Sequence, residues 1–98
     1  MKAFISKRAL RAAERISAYW REKADDPSIF PREFLAAIES IESVKGPGSP
    51  FRTTKRPALN RVLLEKSRCH IYFEVDQAKQ IIRVLQVWDG RRQQPPKL

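Results

Sequence analysis

Residues 69–88 read CHIYFEVDQAKQIIRVLQVW, and their periodicity decides the fold. At the start of this stretch every second side chain is apolar, which is typical of a strand with one face on a core and the other partly exposed. A second apolar run follows after a short polar segment, and LNRVLLE at residues 59–65 is a third run of period two. Because the separations are short, the sequence predicts a three-stranded antiparallel meander over residues 59–65, 69–75 and 80–88.

Alternation within these strands assigns their side chains to two faces. The side chains predicted to face the core are Val62, Leu64, Ile71 and Phe73. Arg61, His70 and Tyr72 then share the opposite side of the sheet, which we call the second face. The last strand cannot be oriented in this way, because it is apolar on both parities and places Arg83 and Trp88 on different ones. Such a strand is suited to a central position in the sheet.

The first half of the chain changes from strand to helix. Residues 2–6, KAFIS, predict a short strand, and Ser6 is suited to cap the helix that follows it. From Lys7 to about Lys23 the spacing is helical. The apolar stripe of this helix is formed by Leu10, Ala13, Ile16, Ser17 and Trp20.

A second helix is predicted from about Ser28 to Ser43, after a break at Pro27, with Asp26 or Ser28 as its cap. Its apolar face contains Phe30, Phe34, Ile38 and Ile41, with Leu35 and Ala37 beside them. Two such helices joined by a short turn predict an antiparallel helical hairpin, which we expect to cover the apolar face of the sheet. The chain is therefore expected to form a single α+β domain spanning residues 1–98.

Residues 44–57, VKGPGSPFRTTKRP, interrupt both periodicities and predict a loop. The basic residues of this segment are Lys45, Arg52, Lys55 and Arg56. Two interpretations stay open. The segment is either a solvated connector or a basic contact loop.

The composition narrows the class of function. The net charge is +9, and residues 51–98 carry eleven Lys and Arg against four Asp and Glu, which favours an anionic partner. No apolar run approaches the roughly 20 residues that span a membrane. Cys69 and His70 are each the only residue of their type, which excludes an internal disulfide and argues against a zinc site. We therefore expect a cytoplasmic protein without metal or cofactor.

Two groups of residues are candidates for chemistry. A face with Arg61, His70 and Tyr72 can bind phosphate and stack a base, with His70 as general acid or base and Arg61 stabilising a transition state. The alternative is that these are packing residues and that Arg61 forms an ion pair across the sheet. Arg91 and Arg92 are either a solvated pair that protects a sheet edge or a contact point for a target.

Residues 63–76, LLEKSRCHIYFEVD, followed by residues 81–92, IIRVLQVWDGRR, and a Pro-rich end resemble the RelE/ParE toxin superfamily. The resemblance covers nearly the whole chain. It implies a β-α-α-β-β-β fold and a toxin of a bacterial toxin–antitoxin system of the plasmid-stabilisation type. It also implies an acidic antitoxin as partner in a hetero-oligomer. RelE-like members cut messenger RNA on the ribosome without a metal, whereas ParE-like members inhibit DNA gyrase.

The residues of this chain match the nuclease pattern only in part. Arg61 is found where RelE-like toxins have their first sheet lysine, but Leu63 replaces the second lysine and His70 replaces a catalytic arginine. No tyrosine follows Trp88. The ending WDGRR at residues 88–92 resembles the ParE side, although ParE-like members often have His in place of Asp89.

The resemblance therefore implies a gyrase inhibitor that acts by protein binding. The residues that would contact its target are Tyr72, Arg83, Trp88, Arg91 and Arg92. The alternatives are a ribosome-dependent endoribonuclease, with Arg61 and His70 as catalytic residues and the ribosome and messenger RNA as partners, or a degenerate toxin that retains only antitoxin binding.

Overall fold

The computed structural model describes residues 1–23, 25–43, 49–50, 58–92 and 94–98. Along the chain the elements are β1 (Lys2–Ile5), α1 (Lys7–Lys23), α2 (Ile29–Glu42), β2 (Ser49–Pro50), β3 (Leu59–Leu64), β4 (Cys69–Asp76) and β5 (Ile81–Asp89). The α+β class and the predicted order of strand, helical hairpin and meander are confirmed.

The segment predicted as a loop contributes one element. Residues 49–50 form β2, which the sequence did not predict, and pair antiparallel with β3. The other residues of the segment lie outside the described residues, and with them the basic side chains proposed for a contact loop, Lys45, Arg52, Lys55 and Arg56.

The five strands form one sheet in the order β1-β5-β4-β3-β2. β3 and β4 pair antiparallel, as do β4 and β5, so the meander is confirmed. β1 pairs with β5 in parallel, with Lys2 beside Ile81 and Ile5 beside Val84. The last strand of the chain is therefore a central strand, which explains why it is apolar on both parities.

A bulge in β5 decides which of its side chains face the core. Tyr72 of β4 lies opposite Gln86, but the next residue, Phe73, lies opposite Val84, so that Leu85 is an extra residue in β5. The parity of the strand changes at this point. As a result, Arg83 and Trp88, which have different parities in the sequence, lie on the same second face of the sheet.

The two helices cover the core face of the sheet. Ala9, Ala12 and Ala13 of α1 pack with Phe30, Phe34 and Ile41 of α2 against Ile71, Phe73, Ile82, Val84 and Val87. The predicted stripe of α1 is wrong at Leu10, which is 48% exposed, because the small alanines carry the contact instead. Leu35 of α2 is also exposed, at 62%. Both leucines border the groove between the helices.

Side chains secure the ends of both helices. The hydroxyl of Ser6 accepts a hydrogen bond of 3.0 Å from the backbone N–H of Ala9, so the predicted cap of α1 is confirmed. Ser28 occupies the N-cap position of α2 but makes no side-chain cap bond. Its N–H and hydroxyl donate instead to the carboxylate of Asp26, at 3.0 and 2.6 Å.

Two glutamates tie α2 to the sheet. The carboxylate of Glu42 accepts a hydrogen bond of 2.8 Å from the backbone N–H of Ala3 in the edge strand β1. The carboxylate of Glu33 accepts from the N–H groups of Lys66 and Ser67 in the β3–β4 turn, at 2.7 and 2.9 Å. Within the described residues, neither helix combines the length and the apolar character that crossing a membrane requires.

Candidate functional site

A cavity of about 190 Å³ lies on the second face of the sheet. We call it the tail cavity, and its lining residues are Arg61, His70, Tyr72, Trp88, Gly90, Arg92, Gln94 and Pro95. The strand register brings them together, because Arg61 lies opposite Tyr72 and His70 lies opposite Trp88. Three neighbouring strands and the end of the chain therefore supply one site.

The end of the chain lies against the part of this face that contains Trp88. The indole N–H of Trp88 donates a hydrogen bond of 2.9 Å to the carbonyl of Gln94. Pro95 lines the cavity and Pro96 is buried. Tyr72, expected to offer a surface to a target, is only 1% exposed. That expectation is corrected, because in this conformation the ring forms part of the cavity wall.

Arg61 and His70 share the cavity, as the sequence indicated. Burial lowers the pKa of His70 below its usual value, and the positive charge of Arg61 lowers it further. The imidazole is therefore neutral near neutral pH and can accept a proton. Cys69 is the neighbour of His70 in sequence but is buried in the core, where burial raises the pKa of its thiol to about 11. A thiol of this kind is not a nucleophile.

The titration of His70 tests this electrostatic arrangement. We expect a midpoint below 6.5, the ordinary value, when the imidazole proton shifts are followed by NMR. The pKa of His70 is lower in the folded state than in the unfolded state, so protonation of His70 favours unfolding. The stability associated with neutral His70 is therefore present above the unfolded-state pKa and is lost as the pH falls through the folded-state pKa. Arg61→Gln should raise the midpoint, and Arg83→Gln should leave it unchanged. A midpoint at or above 6.5 in the wild type would contradict the arrangement.

Gly90 forms the rim of the tail cavity by close backbone approach. Its N–H donates a hydrogen bond of 2.8 Å to the carbonyl of Arg68, which has a positive φ of 62°. A Cβ atom at position 90 would lie 2.3 Å from that carbonyl oxygen and 3.4 Å from Cε1 of His70. Glycine is therefore required here by space, and the turn it permits holds His70 at the cavity.

The paired arginines point to different surroundings. Arg91 forms a salt bridge of 2.9 Å with Asp89, and its guanidinium also contacts the hydroxyl of Tyr19 at 3.4 Å and lies 5.2 Å from the centre of that ring. Arg92 lies over the indole of Trp88, 4.3 Å from the ring centre. Arg92 lines the tail cavity, whereas Arg91 does not.

Arg83 is separate from the tail cavity. It forms a salt bridge of 2.9 Å with Asp76 at the other end of the sheet. The structure thus brings Arg61, His70, Trp88 and Arg92 together and leaves Arg83 and Arg91 outside. The described residues contain no group of three His, Cys, Asp or Glu side chains placed to hold a metal ion.

Sequence reasoning missed four residues around this site. Gln94 and Pro95 belong to the Pro-rich end, to which no role was assigned, and no role was assigned to Arg15 and Tyr19 of α1, which lie near Arg91 outside the tail cavity. The spacing of Arg15 and Tyr19 places them on one side of α1, which was the only available signal. Their proximity to Asp89 and Arg91 arises from the packing of α1 across β5.

No protein-family model matches the sequence, and no curated protein matches it. Solved structures do match. A chain of the chromosomal ParDE TA system from P. aeruginosa superposes with a TM-score of 0.69 at 15% identity, covering 91% of this chain and 95% of that chain. The isolated E. coli RelE toxin superposes with a TM-score of 0.60 at 18% identity, covering 95% and 87%.

A chain of the intact E. coli RelBE toxin–antitoxin complex matches at 17% identity with a TM-score of 0.55, covering 93% of this chain and 98% of that chain. All three comparisons cover at least 91% of this chain. The chain therefore has the fold of the RelE and ParE toxins, as the resemblance of residues 63–92 implied.

Proposed function

We propose that this protein is the toxin of a toxin–antitoxin pair and that it inhibits DNA gyrase by protein binding. One observation carries the choice of binding over catalysis. The chain's own tail lies over part of the second face, where RelE-like toxins place their nuclease residues, and Gln94 and Pro95 line a cavity of about 190 Å³ there.

The side chains at the site support the same choice. Leu63 replaces a basic residue of the nuclease pattern, and no tyrosine follows Trp88. One donor to a developing anionic charge is typically worth about a hundredfold in rate or more. A chain lacking such groups is poorly equipped to cut RNA. The exposed arginines at its C-terminal end remain available to a protein surface.

The expected antitoxin would bind the groove between α1 and α2. This groove has a volume of about 570 Å³ and is lined by Leu10, Phe30, Phe34 and Leu35, with Arg21 at its border. Leu10 and Leu35 expose 48% and 62% of their surface there. An amphipathic antitoxin helix with acidic flanks would cover these leucines and be attracted by the basic residues of α1. An antitoxin segment that is disordered alone and folds into a helix on binding could occupy the groove in this way.

Purified gyrase provides the direct test. Supercoiling of relaxed plasmid should be inhibited by the protein, and the double variant Arg91→Gln/Arg92→Gln should inhibit at least about tenfold less, since two charged contacts are lost. Lys79→Ala changes an exposed residue in the β4–β5 turn and serves as the matched control. Supercoiling that is unimpaired at a large molar excess of the wild type would overturn the proposal.

A second candidate function, cleavage of RNA, is favoured by one observation. Arg61, a neutral His70 and Arg92 all line the tail cavity. These groups have the chemistry of a metal-independent ribonuclease that acts on the ribosome. Primer extension on translated message would then show cleavage, and Arg61→Ala and His70→Ala would each reduce it about a hundredfold. Cleavage that survives both substitutions would remove these residues from the reaction.

A further inference from the structure

A second basic cavity lies on the other side of Trp88, between α1 and the end of β5. Its volume is about 240 Å³, and we call it the α1–β5 cleft. The residues that give it its chemistry are Arg15, Tyr19, Trp88, Asp89, Arg91 and Arg92. The small side chain of Ala12 leaves room at its base. The cleft shares Trp88 and Arg92 with the tail cavity, and its other lining residues are different. It shares no lining residue with the groove between α1 and α2.

The cleft has an excess of positive charge. Three guanidinium groups line it against one carboxylate, that of Asp89. Hydrogen bonds from Arg91 lower the pKa of Asp89, so this carboxylate stays ionised and its charge is matched by Arg91. Among the described residues, neither Arg15 nor Arg92 forms a salt bridge. In the part of the chain that the structure describes, the cleft therefore carries two guanidinium groups outside any salt bridge, and the charge of Arg92 also contributes to lowering the pKa of Asp89.

The guanidinium groups at the β5 end are held in place before any ligand arrives. Arg91 donates to both oxygens of Asp89, at 3.1 and 2.9 Å, and is braced by Tyr19 of α1. Arg92 is held over the indole of Trp88. Since these side chains are already ordered, less conformational entropy is lost when they bind an anion. Cation–π stacking also leaves the edges of a guanidinium free to donate hydrogen bonds.

The geometry points to the α1–β5 cleft as a binding site for a phosphate monoester, held by Arg15, Arg91 and Arg92. A phosphate monoester carries a charge of about −1.5 to −2 at pH 7 and offers three acceptor oxygens. This charge matches the two unpaired guanidinium groups, whereas a single carboxylate would leave one of them uncompensated. Arginine is the residue best suited to bidentate contact with such oxygens.

Binding can be measured by NMR with the full chain. Inorganic phosphate and adenosine 5′-monophosphate are titrated separately, and the amide signals of Gly90, Arg91 and Arg92 are followed. Both probes should give saturable shifts, and Arg15→Gln or Arg92→Gln should weaken binding by about tenfold or more. Arg21→Gln changes an arginine of the same helix that lines the groove between α1 and α2, and should leave the affinity unchanged.

The two probes separate the sources of the phosphate group. Tighter binding of the nucleotide would support a site for a phosphate monoester, whereas equal or tighter binding of inorganic phosphate would overturn the monoester assignment in favour of free phosphate. Shifts that do not saturate, or an equal loss with Arg21→Gln, would overturn the assignment, because either result means nonspecific attraction to a basic chain. The site does not depend on the proposed toxin function. Failure to inhibit gyrase leaves it intact. Arg15 is the residue that separates the two, because it lines the cleft but is not among the proposed gyrase contacts, so Arg15→Gln should weaken phosphate binding and leave gyrase inhibition unchanged.

Discussion

Replacing Phe30 with alanine should lower the free energy of unfolding by about 3–5 kcal/mol. Phe30 is 1% exposed and stacks on Phe34, with ring centres 5.8 Å apart. It lies where α2 meets both α1 and the sheet, so its removal leaves a cavity that these elements cannot all close. A domain of this size has a total stability of about 5–15 kcal/mol. The variant should therefore be partly unfolded at moderate temperature.

Denaturant unfolding followed by circular dichroism measures this loss, and Leu35→Ala is the matched control. Leu35 belongs to the same helix but is 62% exposed, so its truncation should change the stability by about 0.5 kcal/mol or less. The same variant should bind an antitoxin helix more weakly if the groove between α1 and α2 is the docking surface. A small stability loss in Phe30→Ala would mean that the hairpin does not pack as described.

Gly90→Ala should cost about 1–3 kcal/mol, the usual range for a side chain forced into occupied space. The added methyl would lie 2.3 Å from the backbone carbonyl oxygen of Arg68, a group that cannot rotate away as a flexible side chain would. The β3–β4 turn and the end of β5 must therefore separate. Because His70 adjoins the same position, its environment should change as well.

Two measurements distinguish this local effect from general damage. Denaturant unfolding gives the stability loss, with Lys79→Ala in the other hairpin turn as a control that should stay within about 0.5 kcal/mol of the wild type. The NMR titration of His70 should move toward its ordinary midpoint in Gly90→Ala as the cavity opens to water. If Gly90→Ala changed neither the stability nor the His70 titration, the β3–β4 turn and the end of β5 would not be in contact.

The periodicity of the sequence was sufficient to predict the elements. Alternation assigned β3 and β4 to their faces, the 3.6-residue spacing placed both helices, and Ser6 marked the start of α1. These features are local, because the pattern records which side of a strand or helix is buried. The prediction was wrong at Leu10, because buried alanines carry little hydrophobic signal and the true stripe of α1 consists largely of them.

The sequence by itself determined the class of the fold and the placement of Arg61 and His70 on the same face of the sheet. Only the tertiary structure decided the rest of the site. A bulge at Leu85 shifts the parity of β5 and brings Trp88 to that face. Gln94 and Pro95 of the tail join the same cavity, and Tyr19 of α1 contacts Arg91 while Arg92 stacks on Trp88. The physical reason is that a bulge, a returning tail and a helix crossing depend on contacts between residues far apart in the chain, which leave no period in the sequence.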